Sequence, residues 1–393
     1  SSALPYRIIF RIIFGDIEME VLFVLAFISI FIALQSWIYR VYALKNLSAR
    51  IGFSKNIAQC GETVLIEEMI RNEKALPLPM LVLKFEAPRP LIFEDMTNTS
   101  LSDYHYREDL LSLGAWKAHT RQIPVKCKKR GYYSFKRFSL TTSDLMLLVK
   151  IVYALECDAT LTVFPKQIKS IDFEIMLMSF IDERTVKKYL IEDPFAFNGT
   201  REYLPTDRMS AVNWGATSRC DELMVNTYCS SVHSEISILV NVEPYTNDRR
   251  EDCIEKAISI AYSTALVLTQ RHFEVAVYCN SRDVLTESDI RINRGSGPKH
   301  AEKIGYHLAR IDLSRGCGDF DNLLEDVTRS RRDLSAIIIS ANTVNSLQRQ
   351  LIRRHQNGFD FIWIVPLNIY DPEPVILDAL KPLTKFWRHR FDG

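Results

Sequence analysis

Residues 236–245 read ISILVNVEPY, and their reading sets the fold class of the C-terminal half. Ile236 to Val242 is an apolar strand that runs into a Glu243-Pro244-Tyr245 turn. Beyond it, residues 253–268 place apolar side chains at 254, 257, 258, 261, 265 and 268, which is helical spacing. Phe273 to Cys279 then reads as a strand, and His300 to Ile311 and Asp321 to Val327 read as helices. Ala336 to Ile339 is another apolar strand, Thr343 is placed to cap the helix after it, and Phe359 to Val365 (FDFIWIV) is a further strand. This alternation predicts a mostly parallel, doubly wound α/β sheet over 236–393, covered on both faces. Ligands of such sheets sit beyond the carboxyl ends of the strands, where the strand order reverses.

Upstream, residues 46–165 carry a different pattern. Thr63–Ile70, Pro79–Glu86, Thr120–Cys127, Tyr132–Leu140 and Ala159–Phe164 are short runs rich in β-branched and aromatic residues, separated by turn signals such as Arg130-Gly131. Strands without intervening helices predict a β-sandwich-like domain. Before it, residues 1–45 contain Met19–Leu34 (MEVLFVLAFISIFIAL), interrupted only by Glu20. With its flanks this run reaches the roughly 20 residues that cross a bilayer. Trp37 and Tyr39 stand where an aromatic interface belt belongs. A signal peptide has a shorter core followed by small residues, not by Trp, Tyr and Arg, so the expectation is a membrane anchor. Arg40, Lys45, Arg50 and Lys55 follow the run against Arg7 and Arg11 before it, which places the large C-terminal part in the cytoplasm. The shorter apolar run Ile8–Phe14 raises an earlier, partly present membrane segment, so the number of crossings stays open.

The whole is an α+β multidomain chain. Its 49 Lys+Arg against 48 Asp+Glu exclude the basic excess on which general nucleic-acid binding depends. Eight cysteines show no CxxC spacing, which fits reduced thiols rather than a zinc ribbon or disulfide framework.

Residues 166–235 join the two regions and hold the most distinctive text. Arg201-Glu202-Tyr203 leads to Pro205-Thr206-Asp207, Arg208, Asn213-Trp214, Thr217 and Arg219. Met209–Thr217 reads as a short helix with Trp214 facing inward, and Leu223–Tyr228 as a strand. Two readings of the charged residues stand open. Packed against a core they must pair internally, because unpaired buried charge is costly; alternatively, the arginines form a site for a carboxylate or phosphate. This stretch resembles the signature of the bacterial and archaeal domain of unknown function 58 family, with Thr206 where that family has glycine. The order of membrane segment, β-rich region, signature and α/β domain is similar throughout. The resemblance implies a von Willebrand factor A-like C-terminal domain, and partnership with a MoxR-type AAA+ ATPase in assembly or maturation of protein complexes.

Von Willebrand factor A domains hold a divalent cation through an Asp-x-Ser-x-Ser loop after the first strand, a Thr and a further Asp, the hard oxygen ligands Mg²⁺ demands. Here the first loop reads Asn241-Val242-Glu243-Pro244-Tyr245, with an amide for the leading carboxylate and neither serine. The Gly316-Cys317-Gly318-Asp319 loop has no Thr, and Ser340-Ala341-Asn342 offers no carboxylate. The expectation is a degenerate site without metal or cofactor. No GxxxxGK[ST], HExxH or GxSxG motif occurs, and Gly295-Ser296-Gly297 reads as a turn that follows no strand. The sequence therefore favours a membrane-anchored, non-enzymatic scaffold or adaptor. Its rival is an enzyme or small-molecule sensor built on the Arg201–Arg219 cluster.

Overall fold

The N-terminal apolar run is the middle of one long helix. The computed structural model describes residues 4–94, 99–101, 104–189, 197–204, 207, 209–220, 222–228, 235–244, 251–330 and 335–389. Helix α1 (Leu4–Tyr42) has 39 residues, about 58 Å at 1.5 Å per residue. It takes in Ile8–Phe14, which is therefore not a separate segment. With no proline after its first turn, nothing in the sequence breaks the helix there. Within it, Val21–Tyr42 is long and apolar enough to cross a membrane. Phe23, Phe27 and Ile30 stand exposed at 69%, 73% and 67%, unlike the face of a core helix. Asn46, at φ 51°, turns the chain out of the helix, a left-handed position that asparagine tolerates.

The chain forms two compact units, residues 1–163 and 164–393. In the first, β1 (Leu47–Phe53), β2 (Ile57–Gln59), β3 (Thr63–Asn72), β4 (Leu78–Pro88), β5 (Leu91–Phe93), β6 (Thr99–Leu101), β7 (Tyr104–Leu113), β8 (Ala118–Cys127), β9 (Gly131–Ser143) and β10 (Lys150–Phe164) make two sheets. Their orders are β1-β3-β8-β5 and β2-β10-β9-β4-β7-β6, with the pairings in the first sheet and from β10 through β6 in the second antiparallel. Alternation sets the inner face; on β3, Val64, Ile66 and Ile70 point inward. They share one core with Leu81, Leu83 and Phe138 of the other sheet. Phe135 stacks on Phe53 at 4.7 Å and meets Phe85 edge-on at 5.6 Å. Two sheets over one core make this unit a β-sandwich.

The C-terminal end of α1 is fastened to this sandwich. Tyr39, buried, donates from its hydroxyl to the Pro77 carbonyl at 2.9 Å. Gln35 Nε2 and Ser36 Oγ both donate to Asp144 Oδ2 at 2.7 Å. Burial alone would push the Asp144 carboxyl up. The hydrogen bonds from Ser36, Val149, Gln35 and Leu148 outweigh it and hold the group below the usual carboxylate range.

The second unit opens with α2 (Ile171–Tyr189), followed by β11 (Phe197–Glu202), α3 (Trp214–Thr217) and β12 (Met224–Tyr228), where β11 and β12 form a two-stranded antiparallel ribbon. Then come β13 (Glu235–Asn241), α4 (Glu251–Gln270), β14 (Glu274–Arg282), β15 (Asp289–Gly295), α5 (Pro298–Ala309), α6 (Phe320–Ser330), β16 (Ser335–Ser340), α7 (Asn345–Gln356), β17 (Asp360–Asn368) and β18 (Thr384–His389). The sheet order is β15-β14-β13-β16-β17-β18. All neighbours are parallel except the edge pair β14–β15. One face, with Leu239, Ile338, Phe361 and Trp363, packs on α6 and α7. Phe164 sits edge-on to Tyr262 of α4 and Tyr306 of α5, at 5.9 and 5.2 Å.

Two local expectations are corrected. Gly295-Ser296-Gly297 does follow a strand, since β15 buries Ile290 and Ile292 in alternation while Asp289 and Arg291 stay out. Thr343 does not cap α7, because its N-cap residue is Val344. Asn342 Oδ1 accepts from the Val344 amide at 3.0 Å and shapes that entry instead.

Candidate functional site

In the order of its sheet, the second unit reverses direction at β13, which lies between β14 and β16. The crevice beyond the carboxyl ends of β13 and β16 is where such folds open to ligands. Here it is filled by the chain itself. Asn241, at the end of β13, is buried, and its Oδ1 accepts from the Glu243 amide (2.9 Å) and from Asn280 Nδ2 (3.0 Å). Asn280, on β14, also accepts from the Val242 amide at 2.9 Å and donates to the Gly318 carbonyl at 3.0 Å.

The Glu243 carboxylate sits at the middle of these loops. Its Oε2 accepts from Asn241 Nδ2 (3.3 Å) and from Asn342 Nδ2 (3.2 Å). Its Oε1 accepts from the Phe320 amide, the first of α6, at 2.7 Å. Asp319 is the neighbouring cap, with Oδ1 accepting from the Asp321 amide at 2.9 Å. Both carboxylates thus face free amides at a helix N-terminus, where negative charge is favourable. Burial first, and Glu243 second, push the nearby Cys317 thiol up.

The sequence-predicted set is therefore brought together, but as donors against acceptors. Amide NH₂ groups occupy one oxygen of Glu243 and the Phe320 amide the other, so its carboxylate is already committed to donors. These residues do not fit the divalent ion of the von Willebrand factor A site. Among the described residues, no three His, Cys, Asp or Glu side chains gather as a metal-holding group. Tyr245 lies outside the described residues.

The signature stretch is a second cluster, on the β11–β12 ribbon. Arg201 NH1 and NH2 donate to the two oxygens of Asp207, each at 2.6 Å. Asp207 Oδ2 also accepts from the Leu204 amide at 2.9 Å. Arg201 first, and that amide second, hold the Asp207 carboxyl below its ordinary range. Asn213 caps α3 by accepting from the Ala216 amide (3.0 Å) and donates to Asn226 of β12 (2.7 Å). Thr217 Oγ1 accepts from the Met224 amide at 3.0 Å, and the Tyr203 amide donates to the Leu223 carbonyl at 2.8 Å.

Trp214 does not face inward as expected. A single-turn helix tied to β12 mainly through Asn213 and Thr217 offers Trp214 no core to enter, and Trp214 is 64% exposed. Leu204 and Met209 are exposed near it in sequence, as are Glu202 and Arg219. Pro205 and Arg208 lie outside the described residues.

A third polar centre was missed by sequence reasoning. Inside the sandwich, Arg107 and Asp109 of β7 are fully buried, and Arg107 Nε donates to Asp109 Oδ2 at 2.8 Å. Arg121 of β8 donates to Asp109 Oδ1 at 2.9 Å. Glu68 lies in the inward row of β3, and burial, with the Asp109 charge second, pushes its carboxyl up to about 7. The signal was available in charged residues two apart on one strand face, a spacing that fits one side of a strand.

No family model matches the chain, and no curated protein matches it. Among solved structures it is similar to a CARDB domain from Pyrococcus furiosus, at 14% identity over 30% of this chain and 86% of that one, with a TM-score of 0.20. A non-cellulosomal cohesin from the archaeon Archaeoglobus fulgidus matches at 11% identity over 30% of this chain and 91% of its own, TM-score 0.21. A cohesin module from a Clostridium perfringens glycoside hydrolase gives 10% identity, 30% and 96%, and 0.22. Likeness at this level says nothing of ligand or activity.

Proposed function

We propose that this chain is a membrane-anchored, non-enzymatic scaffold of the domain of unknown function 58 type. In this reading α1 is the anchor, the larger part lies in the cytoplasm, and the C-terminal unit is a von Willebrand factor A-like domain that docks a protein rather than a metal-bridged ligand. The carrying observation is the closed switch point, where Glu243 is held by Asn241, Asn342 and the Phe320 amide. The strand order is also that of dinucleotide-binding sheets, but those need a glycine-rich turn after the first strand. Residues 241–251 contain no glycine. The pairing of Arg201 with Asp207 counts against a small-molecule site on the signature, because the guanidinium is already engaged by both carboxylate oxygens.

The exposed Trp214 supports docking at the signature ribbon, since tryptophan is over-represented among residues that dominate interface energy. The partner proposed is a MoxR-type AAA+ ATPase, in assembly or maturation of protein complexes. Affinity capture of the full chain from its native membrane, read by mass spectrometry, is expected to enrich such an ATPase, with Trp214→Ala reducing the yield. Capture that enriches no ATPase contradicts the partnership.

A further inference from the structure

The turn between β9 and β10 carries four consecutive exposed aliphatic side chains. Leu145, Met146, Leu147 and Leu148 are 53%, 50%, 56% and 64% exposed. A run of this kind on a water-facing surface works against solubility unless something covers it.

The turn is tightly built. Asp144 Oδ1 accepts from the amides of Leu148 (2.7 Å) and Val149 (3.1 Å), and the Leu147 amide donates to the Asp144 carbonyl at 3.1 Å. Leu147 sits at φ 57°, a conformation that disfavours a bulky side chain. Glycine or asparagine would satisfy it with less strain. The chain thus keeps leucine where local preference argues against it, which points to a use for the side chain.

Asp144 also fixes where the turn stands. Its other oxygen takes the hydrogen bonds of Gln35 and Ser36, the two residues that directly follow Leu34 at the end of the apolar run. The aliphatic tip therefore leaves the sandwich beside Gln35 and Ser36, the polar pair that follows the apolar run and still lies within the span Val21–Tyr42. A second turn lies at the same end. Asn72 Nδ2 donates to the carbonyls of Leu76 and Gly114, and the Trp116 amide donates to Lys74. That holds Trp116, 70% exposed at φ 55°, beside the segment whose Pro77 carbonyl receives Tyr39. Tyr39 is about one helical turn, roughly 6 Å, beyond Gln35. Aliphatic residues beside Gln35 and a tryptophan beside Tyr39 repeat the gradient of a bilayer, hydrocarbon first and headgroup region next. Arg40 and Lys150, both exposed, suit anionic headgroups.

We propose that the Leu145–Leu148 turn is a second membrane contact, inserted into the leaflet from which α1 emerges, with Trp116 at the headgroup level. It rests on the reading of α1 as a membrane anchor. Two points of attachment, joined through Asp144, fix how the sandwich is oriented on the bilayer.

The test uses the full chain in nanodiscs of mixed zwitterionic and anionic phospholipid containing a phosphatidylcholine with a diazirine in its acyl chain. After photolysis, peptides are mapped by mass spectrometry. Lipid adducts are expected on residues 21–34 and on 145–148. The double variant Met146→Ser, Leu147→Asn, which suits the positive φ, should lower the tip adducts at least several-fold and leave those on α1 unchanged. Adducts on α1 with none at the tip overturn the second contact alone. Adducts on neither overturn the anchor itself. Tip adducts undiminished in the variant show unspecific labelling and overturn the contact as well.

Discussion

Each unit holds a carboxylate among polar partners, half-buried Glu243 in one and fully buried Glu68 in the other, and they treat it in opposite ways. In the α/β unit, Glu243 receives three N–H donors from two asparagines and a helix N-terminus. In the sandwich, Glu68 shares its surroundings with Asp109, and the arginines are drawn to Asp109 at 2.8 and 2.9 Å. Donors supplied by the fold make a carboxylate a structural brace. A carboxylate buried beside another is held near neutral pH with a proton to spare. The crevice at the switch point is thus braced by its own loops, and the carboxylate pushed toward neutral pH lies inside the sandwich.

Substitutions separate these two cases. The largest effect is expected for Arg107→Met, which leaves Asp109 and Glu68 buried with one cation fewer; loss of one partner from a buried ion pair costs about 3–5 kcal/mol, measured by denaturant unfolding. Next is Glu68→Gln. The folded protein holds this proton more tightly than the unfolded chain, so Glu68 contributes stability below about pH 4.5 that is lost as pH rises through about 7. Glu68→Gln should remove that slope and stabilise the sandwich at pH 8 by roughly 3 kcal/mol, with no gain at pH 4. Glu243→Ala should destabilise the α/β unit by about 1–3 kcal/mol through unpaired donors, and hydrogen exchange at the Phe320 amide should quicken. A neutral effect there would erase the contrast. The smallest is Arg201→Lys, which loses the two-pronged geometry. It should let the Asp207 titration, followed by carboxyl NMR, climb back toward the ordinary range, with little change in melting temperature.

Regular patterns were legible in the sequence, and irregular ones were not. The apolar runs at Ile236–Val242 and Phe359–Val365 gave the central strands because burial on both faces leaves a continuous apolar signature. β7 stayed hidden because Arg107 and Asp109 occupy its inward positions, where the pattern calls for apolar residues. α2 was passed over in the junction, though Phe173 and Leu177 bury at helical spacing. β15 and β18 are edge strands, short and polar, with little apolar content to mark them. At the candidate site, the amide at Asn241 and the want of a carboxylate in Ser340-Ala341-Asn342 could be read from residue identity alone. That Glu243 would collect the amides of the same loops could not, since it depends on three segments meeting across the sheet. Trp214 was misplaced for the reverse reason, an aromatic taken as core where only one helical turn exists.

Calorimetric titration of Mg²⁺ into the full chain in detergent micelles bears most directly on the closed switch point. No saturable binding is expected at millimolar ion, and Glu243→Gln should leave the trace unchanged. Stoichiometric binding that disappears in Glu243→Gln would contradict the closed site and with it the metal-free docking role.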